Sequence, residues 1–286
     1  MRTVDLHTHS TVSDGTYTPS ELVDYALQKG LSAIALTDHE TSEGVSEALI
    51  AAQGTSLELI SGIEISSDFN GREVHVVGLF VDNTDKNYIS VLGSLRKERE
   101  NRNHLMIEKF ASLGISMTYD ELKSVSDSKI LTRSHFAKLL MKKGIVKSVA
   151  EAFDRFLADG KPAYTKRTLP TCEESLSIIS DAGGIAVLAH PYTYKLSSDN
   201  LTKLISHVSS IGFTAIECYY PTHTPSQTRH ILDLAEKYSL LPSGGSDFHG
   251  SNKPNLDLGT GYGELSVSYD ILEKLKGSVK NGKRLN

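Results

Sequence analysis

Short apolar or β-branched runs alternate along the chain with segments of helical period: TVDL is followed by TPSELVDYALQKG, SAIALT by SEGVSEALIAAQ, and then comes LELISGI. After residue 170 the alternation resumes, with GIAVLAH, FTAIECYY and LLPSGGSD as strands and TCEESLSIISDAGG, NLTKLISHVSSIG and PSQTRHILDLAEKY as helices. Thr18, Pro19 and Glu21 mark a helix start as cap, first helical position and capping-box partner, and Gly30 marks its end. Repeated strand–helix units predict an α/β fold with a mostly parallel sheet, and about seven of them suffice to close a barrel. Between residues 86 and 165 the strands stop, and ISVLGSLRKERENRNHLMIEKFASLG, TYDELKSV, SHFAKLLMKKG and SVAEAFDRFLADG all read as helices. The expected organisation is a barrel built from residues 1–85 and 166–286, with residues 86–165 as a helical insertion capping one end.

Polar residues fall where the predicted strands finish. TVDL runs into His7 and His9, SAIALT into Asp38 and His39, LELISGI into Glu64, GIAVLA into His190, and LLPSGGS into Asp247 and His249. In a parallel α/β barrel those ends share one face, and residues two apart on a strand point the same way, so His7 pairs with His9 and Asp247 with His249. His75 begins its run, EVHVVGLF, instead of ending it. The preceding Asn70-Gly71 is a hairpin-turn signal that sets Phe69 opposite Arg72, Ser66 opposite His75 and Glu64 opposite Val77. Glu64 and His75 then become diagonal neighbours on one face. With Asp14, and leaving Asp38 aside, nine residues converge on one rim, namely His7, His9, Asp14, His39, Glu64, His75, His190, Asp247 and His249, and packing gives no reason to choose imidazoles there.

Nitrogen and oxygen donors without thiolate suit Zn, Mn or Fe in a catalytic setting. Nine donors exceed what one or two ions use, whereas three divalent ions at about three or four ligands each, with Glu64 shared, use them all. Three such ions against the carboxylates of Asp14, Glu64 and Asp247 leave a surplus of about +3, which suits a phosphate dianion.

Composition adds exclusions. Thirty basic against thirty-five acidic side chains give a net charge of -5, so no global positive field draws the chain onto duplex DNA or an anionic membrane. Cys172 and Cys218 have neither metal-like nor redox-like spacing, and no apolar run approaches the roughly 18 residues of a membrane span. A motif within the first ten residues leaves no room for a signal peptide, so the expected location is cytoplasmic and the expected state a monomer or weak oligomer.

The motifs DLHTHSTVSDG, LTDHE, GIEIS with EVHVVGLF, LAHP and GGSDFHG, in that order from residue 5 to residue 250, resemble the PHP (polymerase and histidinol phosphatase) metal-dependent phosphoesterases. The resemblance is strongest to stand-alone members acting on small nucleotides or short RNA 5' ends. It implies a distorted seven-stranded (β/α) barrel and three metal positions: His7, His9, Glu64 and Asp247; Glu64, His75 and His190; Asp14, His39 and His249. Many relatives carry histidine where this chain has Asp14, which leaves the metal preference open.

Asp247, Glu64, Arg133 and His223 are the catalytic candidates. In LTRSHFAKLL, Arg133 and His135 stand at a helix start, where free backbone N–H groups and a guanidinium would suit a second substrate phosphate. His223, in YYPTHTPS, is expected to contact substrate or protonate the leaving oxygen. His104, His207 and His230 read as surface residues, and RKERENR as a solvated helix face. The expected activity is hydrolysis of nucleotide phosphate esters, such as the 3'-phosphate of a nucleoside 3',5'-bisphosphate or the 5' end of short RNA. A histidinol-phosphate-type phosphatase and a non-catalytic metal-holding regulatory module are the alternatives.

Overall fold

A computed structural model describes residues 2–282 except positions 127 and 129. The first half of the barrel comprises β1 (Thr3–Thr8), α1 (Pro19–Gln28), β2 (Ala33–Leu36), α2 (Val45–Ala52), β3 (Glu58–Phe69) and β4 (Arg72–Leu79). Helices α3 (Lys86–Ser112), α4 (Tyr119–Lys123), α5 (Arg133–Lys142) and α6 (Val149–Ala152) follow, the last continuing into one π-helical turn. The chain then returns through α7 (Cys172–Asp181), β5 (Ile185–Leu188), α8 (Ser198–Ile211), β6 (Ala215–Tyr219), α9 (Pro225–Lys237), β7 (Leu241–Gly244), β8 (Val267–Ser268) and α10 (Tyr269–Gly282).

The sheet has eight strands in the order β7-β6-β5-β4-β3-β2-β1-β8, one more than the seven expected. The extra strand is the two-residue β8, antiparallel to β1, which is too short to leave a hydrophobic period in the sequence. Beyond β7 the chain pairs with β1: the Asp247 N–H donates to His7 O at 2.8 Å and the His9 N–H to Phe248 O at 2.9 Å, bringing the two edges of the sheet together. The β3–β4 hairpin has the register that Asn70-Gly71 dictates, with Phe69 opposite Arg72, Ser66 opposite His75 and Glu64 opposite Val77. Both turn residues have positive φ, 51° and 84°, as a twist-matched two-residue turn requires.

Alternation along this hairpin sorts the side chains. Ile63, Ile65, Val74 and Val76 pack outward with α7 and α8, whereas Ile60, Val77 and Leu79 join a second apolar cluster with Leu272 and Leu275 of α10. Glu64 and His75 share the parity of that second face. A third cluster, around Met106, Phe110, Leu122 and Phe136, runs from α3 through α6 and its π-helical turn, where Ala152 and Leu157 join it. Helix α3 belongs to two of them, since Tyr88 and Leu92 pack on the barrel and Met106 and Phe110 among the other helices. Thr18 caps α1 through the expected capping box with Glu21, and Pro19 opens it. Both cysteines are buried and free. Among the described residues no helix is long and apolar enough to cross a membrane.

Candidate metal centre

Past the last regular pair of β2 and β3, the Glu64 N–H donates to Asp38 O at 3.1 Å and the Glu40 N–H to Glu64 O at 2.9 Å, which sets His39 against Glu64. Glu64 is the hub. Its Oε1 lies 2.8 Å from His75 Nδ1, 3.1 Å from His190 Nε2 and 3.4 Å from His7 Nε2, and its Oε2 lies 3.1 Å from His39 Nδ1 and 3.3 Å from His9 Nε2. Asp247 Oδ1 stands 3.3 Å from both His9 Nε2 and His249 Nδ1, and Asp14 Oδ1 stands 3.1 Å from His249 Nε2. All nine rim residues named from the sequence are thus within one continuous cluster. Their donor atoms form three overlapping groups: His7, His9 and Asp247; His7, Glu64 and His190; His9, Asp14, His39 and His249. These differ from the family partition in detail, because His9 joins the third group, His7 the second, and His75 touches only Glu64 among the shared donors.

The residues fit divalent metal on a direct observation. Among the described residues His7 Nε2, His9 Nε2, His39 Nδ1 and Asp14 Oδ1 are buried without a hydrogen-bond partner, although their neighbours lie within 4 Å. Lone pairs that converge without hydrogen bonds between them are arranged to share a cation. Burial disfavours ionised Glu64, Asp14 and Asp247, but the surrounding imidazoles, with Lys253 beside Asp247, hold all three carboxyls well below their usual range. Burial drives His39 down to about 3. Over His9 and His75 the burial penalty is outweighed by the neighbouring carboxylates, Glu64 with Asp247 for His9 and Glu64 with Glu73 for His75, raising both imidazoles to about 9.

Two aspartates that the strand-end pattern did not assign hold the donor-bearing loops. Asp38 accepts from Ser10 N at 2.8 Å, Ser10 Oγ at 2.6 Å and Ser13 Oγ at 2.5 Å, fixing the loop that carries His9 and Asp14. Asp5 accepts from Ser246 N and Ser246 Oγ and from Gly259 N, fixing the loop that carries Asp247. Gly245 lies so close to β1 that a Cβ there would come within 2.5 Å of His7 N. Tyr220 donates to Asp247 Oδ2 at 2.8 Å, where Lys253 also binds.

The second-phosphate candidates divide. Arg133 is partly buried, with Nη2 3.1 Å from Glu73 Oε2, and Glu73 Oε1 is 3.6 Å from His75 Nε2. His135 is not the free helix-start residue expected: it is fully buried, and its Nδ1 accepts the Thr132 N–H at 2.9 Å in a capping box. The helix start is therefore capped from within, with Thr132 Oγ1 also taking the Ser134 N–H and donating to Asp14 Oδ2 at 3.0 Å. Burial lowers His135 to about 4, so it is neutral, and its unpartnered Nε2 carries the proton. His223 Nδ1 lies 3.1 Å from Cys218 O, which leaves Nε2 as a lone pair without a partner beside the rings of Tyr192 and Tyr220. Burial lowers its pKa, which favours a neutral contact over a standing acid. Among the histidines placed on the surface, His104 is exposed and stacks on Tyr119, while His207 and His230 are half-buried, bonded to Glu173 and Tyr192.

The solvated reading of RKERENR is overturned for two residues. Arg99 is 7% and Arg102 5% exposed. Arg99 Nε donates to Glu40 Oε2 at 2.7 Å, and Arg167 binds both oxygens of the same carboxylate. Arg102 has no ion-pair partner among the described residues, and its Nε and Nη2 make no hydrogen bond.

A model of the PHP domain family matches residues 5–242. The chain is 36% identical over 271 residues to a 5'-3' exoribonuclease of Haemophilus influenzae, spanning 95% of this chain and 96% of that protein. It is 32% identical over 260 residues to a 3',5'-nucleoside bisphosphate phosphatase of Chromobacterium violaceum, spanning 91% of each. A solved amidohydrolase structure from the same organism, with bound sulfate and no metal, has a TM-score of 0.86 at 31% identity, covering 96% of both chains. On this agreement of motif order, barrel and overall sequence, the chain belongs to the PHP domain family.

Proposed function

We propose that the protein is a metal-dependent phosphoesterase whose substrates are nucleotides carrying two phosphates: a 3',5'-bisphosphate, or the 5'-phosphorylated end of a short RNA. The observation that carries the choice is the cationic cluster beside the metal centre. Among the described residues Arg99 and Arg167 pair with Glu40 and Arg133 with Glu73, so four guanidinium groups share two ion-paired carboxylates, and the buried Arg102 has no ion-pair partner. Guanidinium does not shed its proton in proteins, and an unpaired buried ion costs several kcal/mol. A phosphate dianion satisfies it. Glu40 follows His39 directly and Glu73 approaches His75, so the cluster adjoins the metal donors, and one ligand with two phosphates spans both.

The metal ions would be three, of the Mn, Zn or Fe kind, held by His7, His9, Glu64 and Asp247, by Glu64, His75 and His190, and by Asp14, His39 and His249. When bound, they neutralise the charge of the phosphate under attack and lower the pKa of water. Around them Glu64 ties the sets together, Lys253 and Tyr220 hold Asp247, and His223 offers Nε2 to a substrate hydroxyl. Arg133 and the other guanidinium groups seat the second phosphate, with the His135 Nε2–H as a neutral donor close by. This setting is cationic, which disfavours the small amine substrate of a histidinol-phosphate-type enzyme.

The relatives named exoribonuclease and bisphosphate phosphatase support the reading, as does sulfate bound to the solved neighbour. Its test is phosphate or nucleotide release from a nucleoside 3',5'-bisphosphate, 5'-phosphorylated RNA and histidinol phosphate, with Mn and with chelator. Arg102→Met should raise KM for the first two by about 10-fold or more, the worth of a lost charged hydrogen bond, while sparing p-nitrophenyl phosphate. Preference for histidinol phosphate, or an unchanged KM, would refute the second-phosphate site; no turnover of any ester by metal-loaded protein would favour the regulatory module.

A further inference from the structure

Strand β6 contributes no residue to the metal-donor groups, yet it sends one carboxylate into the rim. Glu217 is 3% exposed; its Oε2 accepts the His190 N–H at 2.7 Å and its Oε1 lies 3.2 Å from His7 Nδ1. An ionised carboxylate only accepts, so His7 Nδ1 carries the ring proton and Nε2 turns its lone pair toward Glu64 and Asp247, 3.4 and 3.8 Å away. At His190 the backbone is in the left-handed region, φ 26°, an uncommon place for a side-chain-bearing residue, and the carboxylate holds the N–H of that residue. We infer that Glu217 is the positioning residue of two of the three metal sites, selecting the metal-binding tautomer of His7 and locking the backbone that presents His190. Among the described residues the hydrogen bonds and ion pair of Glu217 go to His7 and His190, and none goes to Asp14, His39 or His249, the donors of the third group other than His9. The inference rests on the metal-centre reading above.

Glutamine is the discriminating replacement. Its amide has one accepting and one donating end, while Glu217 faces two donors, the His190 N–H and the His7 Nδ1–H. Either orientation sets a donor against a donor: on His190, or on His7, where it favours the tautomer with the proton on Nε2. A residue that only filled space would tolerate glutamine better than alanine. A tautomer-setting residue tolerates it no better, because alanine leaves room for water to accept from Nδ1.

The test is metal content and affinity of the purified full chain, measured by elemental analysis and Mn or Zn titration, with circular dichroism and metal-free melting as fold checks. Wild type should hold three ions. Glu217→Gln should keep one tightly and bind the other two about 10–100-fold more weakly, the usual effect of losing such an outer partner. Glu217→Ala should weaken the same two by no more than that, and carries the count alone if the glutamine variant does not fold. Three equally tight ions in the variants, uniform weakening of all three, or glutamine clearly milder than alanine would overturn the assignment alone. A wild-type chain that binds no metal would overturn the metal-centre reading and this assignment with it.

Discussion

Glu40 shows how much one side chain can hold. It is buried, it sits at φ 52°, and it binds Arg99 from α3 and Arg167 from the segment before α7. Burial opposes its charge, but the two guanidinium groups outweigh that and keep its carboxyl well below the ordinary range. Exchanging a buried carboxylate and its guanidinium partners together for well-packed apolar groups costs little, but removing the carboxylate alone strands two buried cations. Glu40→Gln should therefore cost about 3–5 kcal/mol in urea unfolding. A loss under about 1 kcal/mol would mean that the arginines find another anion. The residue after His39 thus ties the helical segment to the barrel.

At the scale of elements, the β3–β4 hairpin was legible because turn chemistry fixes register, and a slip of one residue would turn Glu64 and His75 away from each other. His75→Ala should accordingly remove turnover while the hairpin, held by its paired backbone and by Val74 and Val76, keeps its circular dichroism and melts within a few degrees of wild type. Unchanged turnover would remove His75 from the site. Helix α3 is where its sequence places it, but the burial of Arg99 and Arg102 on it is not legible there, for an equally physical reason. Tyr88, Leu92, Arg99, Arg102, Asn103, Met106 and Phe110 form one buried stripe at spacings of three, four and seven, so the arginines lie on the apolar face. The mixed charge of RKERENR concealed that periodicity. Glu217 carried a similar signal, a lone carboxylate inside the apolar run FTAIECYY, where burial demands a partner.

For the whole molecule, the candidate donors come from β3, β4 and the ends of β1, β2, β5 and β7, so ions bound there would cross-link most of the barrel. Ions that bind only the folded state stabilise it by mass action, about 4 kcal/mol for each at a thousand-fold excess over Kd. Chelation should lower the melting temperature by at least about 5 °C, and added Mn or Zn should restore it. A melting curve indifferent to chelator would argue that no ion occupies the rim. The chain order by itself determined the alternating α/β architecture, the hairpin register and the nine-residue rim, because periodicity, turn residues and strand ends are local properties. Closure through residues 245–248 onto β1, the two-residue eighth strand, the inward turn of Arg99 and Arg102, the internal cap at His135 and the clasp of Glu217 on His7 were decided only in three dimensions. Each depends on a partner far away in the chain, and a side chain's burial and hydrogen bonding follow from that partner, not from its neighbours in sequence.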